Sequence, residues 1–128
     1  MGIEVVALGP DATATVTRAL HQGHVLALLS DRDVAGGGVP VEFFGEQTTL
    51  PGGAATLALR VGAPLLPVVC YDRPGGGHHA VVKPPIPAER LGTLRQDVAR
   101  ITQNMAGALE DLIRVAPHQW HLMQPNWP

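Results

Sequence analysis

Ile3-Glu-Val-Val-Ala-Leu8, then Gly9-Pro10, a polar and apolar run to Leu20, and Val25-Leu-Ala-Leu-Leu29 are the segments whose order decides the fold. The first run is short and apolar and is stopped by Gly-Pro, which predicts a strand. Asp11 or Thr13 can cap a helix whose apolar face is Val16, Ala19 and Leu20 and which stops near Gly23. Residues 25–29 are continuously apolar, the pattern of a strand covered on both faces. Strand, helix and strand with short connections make a βαβ unit, and that implies neighbouring parallel strands. Such a unit at residue 3 would continue a sheet rather than begin one, so the chain reads as if an opening portion were absent.

Working outward, residues 30–40 form a polar loop holding Asp31-Arg32-Asp33 and Gly36-Gly37-Gly38. Residues 41–44 read as a short strand and residues 45–50 as a loop. Pro51-Gly52-Gly53 opens a helix to about Val61, with proline near the first turn. Residues 64–71 read as a third strong strand, 72–77 as a turn and 80–83 as a fourth strand. Pro84, Pro85 and Pro87 make a stiff exit. From about Thr93 to Arg114, apolar residues Val98, Ile101, Met105, Leu109, Leu112 and Ile113 recur at three- and four-residue steps. That spacing predicts an amphipathic core helix, ended by Ala116-Pro117. The tail, residues 118–128, holds Trp120 and Trp127 and reads as a docked extended segment whose rings anchor in the core rather than in lipid. The fold class that follows is α/β, a mixed, mainly parallel sheet flanked by helices, in one domain over residues 1–128.

Composition narrows the function classes. The chain of 128 residues carries nine basic and eleven acidic groups, a net charge of −2, and its only lysine is Lys83. A nucleic-acid binder would show a basic stripe, and none is present. The single Cys70 cannot close an internal disulfide, and it ends an apolar strand where packing explains it. No signal-peptide pattern opens the chain. Gly2 is followed by Val6 where a myristoylation signal needs Ser or Thr. The longest apolar stretch, residues 61–71, is broken by Gly62, Pro64 and Pro67 and is far short of the ~20 residues that span a bilayer.

Two polar groups stand just beyond apolar strands: Arg32 in Asp31-Arg32-Asp33, and Glu46 in Val41-Glu-Phe-Phe-Gly-Glu46. In parallel sheets, ligands bind beyond the carboxyl ends of strands, so the two are expected to face one groove. Arg32 offers a planar fork suited to phosphate. Glu46 can orient a base or a hydroxyl. The plainer alternative is a solvated turn with a local ion pair. Asp31, Asp33, Gly36 and Glu42 also stand at positions one, three, six and twelve of a calcium loop, but Ala35 fills position five and the flanks are strands. The pairs His21/His24 and His118/His121 lack further ligands for a metal. His78-His79 follows a glycine run that lacks the Lys-Ser/Thr of a P-loop.

Three blocks taken together resemble the lauroyl/myristoyl lipid acyltransferases of the lipid A type, and most of all the actinobacterial phosphatidylinositol mannoside acyltransferases. They are Asp31-Arg-Asp33, Val41-Glu-Phe-Phe-Gly-Glu46 and Gly62-Ala-Pro-Leu-Leu-Pro-Val-Val69. Pro51-Gly-Gly-Ala-Ala55 and Gln119-Trp-His-Leu-Met-Gln-Pro-Asn-Trp127 fit in the same order. The resemblance implies an acyltransferase-like half-domain, the carboxy-terminal part of such a domain. It implies transfer of a fatty acyl group from acyl-CoA, as co-substrate and without a cofactor or metal, to a sugar hydroxyl of a membrane glycolipid. It assigns Glu46 to catalysis, Arg32, Asp33, Phe44 and Gly45 to substrate binding, and Pro64-Leu-Leu-Pro67 to the acyl groove. The implied location is peripheral, on the cytoplasmic face of the cell membrane. The family's base block is His-x4-Asp/Glu. Five residues after His21, His24, His78, His79, His118 and His121 come Leu26, Leu29, Lys83, Pro84, Met123 and Asn126. None fits, so the expectation is an enzyme portion without its base or, alternatively, a non-catalytic binding partner that keeps the groove.

Overall fold

The computed structural model describes residues 2–7 and 9–128. Its organising element is α3, Leu94–Val115. Thr93 caps it: the hydroxyl accepts from the Gln96 amide, and the Gln96 side chain accepts from the Thr93 amide. This capping box satisfies two donors that a helix start leaves orphaned. At the far end, Ala116 precedes Pro117, which disfavours a further helical turn, and a 3-10 turn follows at Pro117–Gln119.

The apolar stripe of α3 buries against two partners. On one side lies a hairpin of β1, Val39–Phe43, and β2, Glu46–Leu50. Val41, Phe43 and Leu50 there pack with Ala106 and Ile113. On the other side lies α2, Gly53–Val61, whose Ala54 and Ala55 meet Ile101, Met105 and Ile86. Phe43 and Ile101 are fully buried, and each such side chain contributes roughly 1.5–3 kcal/mol by leaving water. The first helix, α1 at Ala12–His21, reaches the body of the molecule through α2.

A second hairpin joins β3, Val68–Asp72, to β4, His78–Val82. Side-chain bonds to the carboxyl half of α3 hold it. The Tyr71 hydroxyl donates to the Leu112 carbonyl, and Lys83 Nζ lies 2.8 Å from Asp111 Oδ2. That ammonium holds the Asp111 carboxyl below its ordinary value.

The helices match the sequence reading, but the sheet does not. Among the described residues both sheets are two-stranded and antiparallel, so the fold there is α/β without a mainly parallel sheet. Connection length is the physical reason. Strands joined by Phe44-Gly45, or by residues 73–77, can only turn back, whereas parallel neighbours need a crossover of about a dozen residues. The expected βαβ unit keeps its helix but not its strands. Residues 3–7 and 24–29 join no ladder, and Ile3, Val25 and Leu29 are 94 %, 97 % and 85 % exposed. Leu8, the last residue of the first expected strand, lies outside the described residues. The expected loop at residues 45–50 is strand β2. The third strand starts later than expected because Pro64 and Pro67 have no amide to donate. Cys70 is exposed rather than packed, because this hairpin is covered only from the α3 side. Among the described residues, no helix is long and apolar enough to cross a membrane.

Candidate functional site

The β1–β2 turn consists of Phe44 and Gly45, both at positive φ, 55° and 80°. Two-residue hairpins favour this handedness because it matches strand twist. Glycine meets it freely, but a phenylalanine there costs roughly 1 kcal/mol or more. Phe44 is held in place from several directions. Its amide donates to Glu110 Oε1 at 2.8 Å. Its ring lies 4.7 Å from Phe43 and 5.7 Å from Trp120, under the Arg114 guanidinium. The free edge of β1 is closed the same way. The Glu42 amide donates to Gln103 Oε1 and the Glu42 carbonyl accepts from Gln103 Nε2, at 2.8 and 2.9 Å. Side chains of α3 thus occupy the place of a next strand.

The tail returns across this hairpin. Trp127 stacks on Phe43 with centroids 6.0 Å apart and planes 14° from parallel, and its Nε1 donates to the Phe43 carbonyl. Trp120 meets Phe43 edge-on at 6.0 Å. The Thr48 hydroxyl donates to the Asn126 carbonyl. Both tryptophans therefore sit on the core, as the sequence suggested.

The same tail fixes the Asp31–Asp33 loop. Trp120 Nε1 donates to Asp31 Oδ2 at 2.9 Å, and Asn126 Nδ2 donates to the Asp31 carbonyl at 3.1 Å. Asp33 Oδ2 accepts from the Gly38 amide at 2.7 Å and from the Thr49 hydroxyl at 2.9 Å. Gly38 has to be glycine: a Cβ there would stand 2.6 Å from that carboxylate oxygen and 2.7 Å from the Leu50 carbonyl. Two carboxylates flank Arg32, and both are engaged elsewhere. Among the described residues Arg32 forms no ion pair and no hydrogen bond, so the local ion-pair alternative has no support.

Three of the quoted blocks, at residues 31–33, 41–46 and 119–127, thus meet in space. Between the loop, β2 and the tail lies an open cleft of about 490 Å³. Its lining includes Asp33, Gln47, Thr49, Asn126 and Trp127. Arg32, Phe44, Gly45 and Glu46 stand outside that lining. Glu46 is exposed and opens β2 just past the carboxyl end of β1, but in an antiparallel hairpin rather than in the parallel sheet that was expected. Thr49, which holds Asp33, is three residues further along, roughly 10 Å at strand rise. Arg32 follows a segment without a ladder. Asp31 and Asp33 are bonded to protein donors, and no three metal-binding side chains cluster among the described residues. A second, apolar gap of only about 60 Å³ lies between α2 and residues 20–28, lined in part by Leu57, Pro64 and Leu65. It is far below the ~300 Å³ at which ligand pockets begin.

Sequence reasoning passed over Gln47, Thr49 and Asn126. The first two were hidden by reading residues 45–50 as a loop, although Thr48-Thr49 is a β-branched pair that favours strand. Nothing local marks Asn126.

The family model described as "Bacterial lipid A biosynthesis acyltransferase" matches residues 2–128. The chain is 38 % identical over 112 residues to the "Phosphatidylinositol mannoside acyltransferase" of Mycobacterium tuberculosis (strain ATCC 25618 / H37Rv), which covers 88 % of this chain and 34 % of that relative. It is 40 % identical over 108 residues to the protein of the same name from Mycolicibacterium smegmatis (strain ATCC 700084 / mc(2)155), covering 84 % and 34 % respectively. The chain spans about a third of the length of the curated relatives it matches. On its matched length and its ordered motifs, the chain belongs to the bacterial lipid A biosynthesis acyltransferase family.

Proposed function

We propose that this chain serves fatty acyl transfer to a sugar hydroxyl of a phosphatidylinositol mannoside or a similar glycolipid. The donor is acyl-CoA, and the place is the cytoplasmic face of the cell membrane, reached peripherally. One observation carries the reading beyond family membership. The Asp31–Asp33 loop and the Val41–Glu46 hairpin are bolted together by Trp120, Asn126 and Trp127, residues from the opposite end of the chain.

In this reading a base removes the proton of the acceptor hydroxyl, whose oxygen attacks the thioester carbonyl. The carbon–sulfur bond breaks, and the leaving thiolate takes up a proton. Histidine titrates in the right range for that base, and no histidine of this chain carries the family spacing, so the base comes from outside these residues. Glu46 orients that base or the acceptor. Arg32, fixed in charge and without a partner among the described residues, takes a phosphate of the lipid or of CoA. Asp33 helps shape the substrate side, and the Phe44-Gly45 turn presents Glu46. The alternative of a non-catalytic binding partner draws on one fact, that no histidine bonds Glu46 among the described residues.

The test is acyl transfer from palmitoyl-CoA to phosphatidylinositol mannoside. The chain alone is expected to show no turnover. Supplied with the His-x4-Asp/Glu portion of a family member, it should turn over. Glu46→Gln should then lose most of kcat, about 10²-fold or more, the usual scale for an acid–base helper. Arg32→Ala should raise KM. Turnover by the chain alone, or parent-like behaviour of both variants, refutes this assignment.

A further inference from the structure

We infer that the cleft between Asp33, Gln47, Asn126 and Trp127 is a binding site for a polyol ring, a hexose or an inositol. The lining chemistry points there. Asp33 uses only Oδ2 internally, so Oδ1 remains an acceptor. Asn126 spends its Nδ2 on the Asp31 carbonyl, and its side-chain oxygen bonds nothing among the described residues. Gln47 is exposed, and its amide bonds nothing among them either. Acceptors and a free amide call for a ligand rich in hydroxyl groups, which both donate and accept.

The apolar part of the lining is ring-shaped residues: Pro40, Pro125 and Trp127. These suit the C–H faces of a sugar better than a flexible chain. The volume of about 490 Å³ lies within the ~300–1,000 Å³ of small-molecule sites. Rival ligands fit poorly. No Lys or Arg lines the cleft among the described residues, so a phosphate finds no cation to fork onto it. An acyl chain would desolvate Asp33 and Gln47 without return.

The position adds a reason. One wall is the open edge of β2, whose Gln47 and Thr49 amides and carbonyls pair with no strand among the described residues. In a two-stranded sheet those groups stay available to a ligand. The loop behind Asp33 and the tail behind Trp127 are each tied down at two or more points, so the cleft is preformed.

The proposal rests on the acyltransferase reading only for the source of the ring, a glycolipid headgroup. The test is ¹H–¹⁵N spectroscopy of the full chain, following the Gln47 and Thr49 amides and the Trp127 indole N–H. The probes are methyl α-mannoside, free myo-inositol, and phosphatidylcholine vesicles with and without phosphatidylinositol mannoside. Saturable shifts at those signals are expected. Gln47→Ala and Asp33→Asn should weaken binding about fivefold each, the loss of one neutral hydrogen bond. Gln47 is exposed and supports nothing, so its variant folds whatever becomes of Asp33→Asn. Shifts with the soluble sugars make the ring sufficient, and shifts only with glycolipid vesicles make the headgroup the source. Shifts with neither, shifts elsewhere, or unweakened binding in Gln47→Ala overturn the proposal. Failed acyl transfer with intact shifts would leave the cleft standing, and turnover with a cleft that takes no sugar would sink the cleft alone.

Discussion

Replacing Trp127 by alanine should destabilise the whole molecule, although the residue stands next to the last position of the chain. Trp127 is half-buried, stacked on the fully buried Phe43 and set edge-on to Trp120 at 6.3 Å. Truncating a fully buried aromatic costs about 3–5 kcal/mol, so half burial scales this to about 2 kcal/mol. The lost bond from Nε1 to the Phe43 carbonyl adds about 1 kcal/mol. A loss of roughly 2–3 kcal/mol is a large part of the ~5–15 kcal/mol that holds a domain together. For a chain of this size it lowers Tm by about 8–12 °C. Trp127→Phe keeps a ring on Phe43 and loses only the N–H, so its Tm should fall by about 4 °C. Thermal unfolding followed by circular dichroism measures both. A Trp127→Ala protein within about 2 °C of the parent would mean that the tail does not brace the hairpin. A Trp127→Phe protein as damaged as Trp127→Ala would mean that the ring packing is not what matters.

Asp97, buried at the start of α3, gives a pH-dependent test. Burial alone would raise its carboxyl, but the Gly92 and Leu91 amides and the Arg100 guanidinium hold it below its ordinary 3.8. A depressed folded-state value means that its contribution is full above about pH 4 and is lost as pH falls through that lower value. Asp97→Asn should therefore lower Tm at neutral pH, and its denaturant midpoint should fall less than the parent's between pH 5 and pH 2.5, roughly the window in which a depressed carboxylate takes up its proton; equal acid slopes would count against the bonds described. Val25→Thr and Leu29→Thr should leave Tm within about 2 °C, because exposed side chains change stability by only about ±0.5 kcal/mol. They should also raise the concentration at which light scattering first reports association, since exposed apolar segments are sticky; a large drop in Tm would show that these residues are packed.

The helices and their ends were legible in the sequence because their signals are local. Thr93 with Gln96, the stripe from Val98 to Ile113, and Pro117 after Ala116 all act within a few residues of themselves. The strands were legible mainly where valine or an aromatic residue stands, at residues 41–43, 68–69 and 81–82. β2 was missed because four of its five residues are polar or charged, and only Thr48 and Leu50 face the core. The error in topology came from residues 3–8 and 25–29. Their composition says strand, but pairing depends on a neighbour that sequence cannot supply, and the described residues offer none. The candidate site was half legible. Asp31, Arg32, Asp33 and Glu46 announced themselves as charges beside apolar runs. The cleft needed Asn126 and Trp127, which are 93 and 94 residues beyond Asp33 in the chain, and no local rule joins them.

What the structure does with the two aspartates bears most directly on Arg32. An arginine between two carboxylates would ordinarily be neutralised by one of them, at a net worth of about 0–1 kcal/mol on the surface. Here Asp31 is turned toward the Trp120 indole, and Asp33 toward the Gly38 amide and the Thr49 hydroxyl. Each bond fixes the backbone on one side of Arg32, and the bond from Asn126 to the Asp31 carbonyl fixes it again. The result is a cation whose backbone is anchored while its guanidinium stays unpaired among the described residues. A merely solvated turn has no need of three long-range anchors from residues as distant as Asn126. In the role proposed for Arg32 they have a use, because binding then spends little on ordering the loop and the charge meets a phosphate without first breaking an internal pair. In the proposed reading both aspartates serve as mounts of Arg32, and Asp33 in addition keeps one unspent oxygen for the neighbouring cleft.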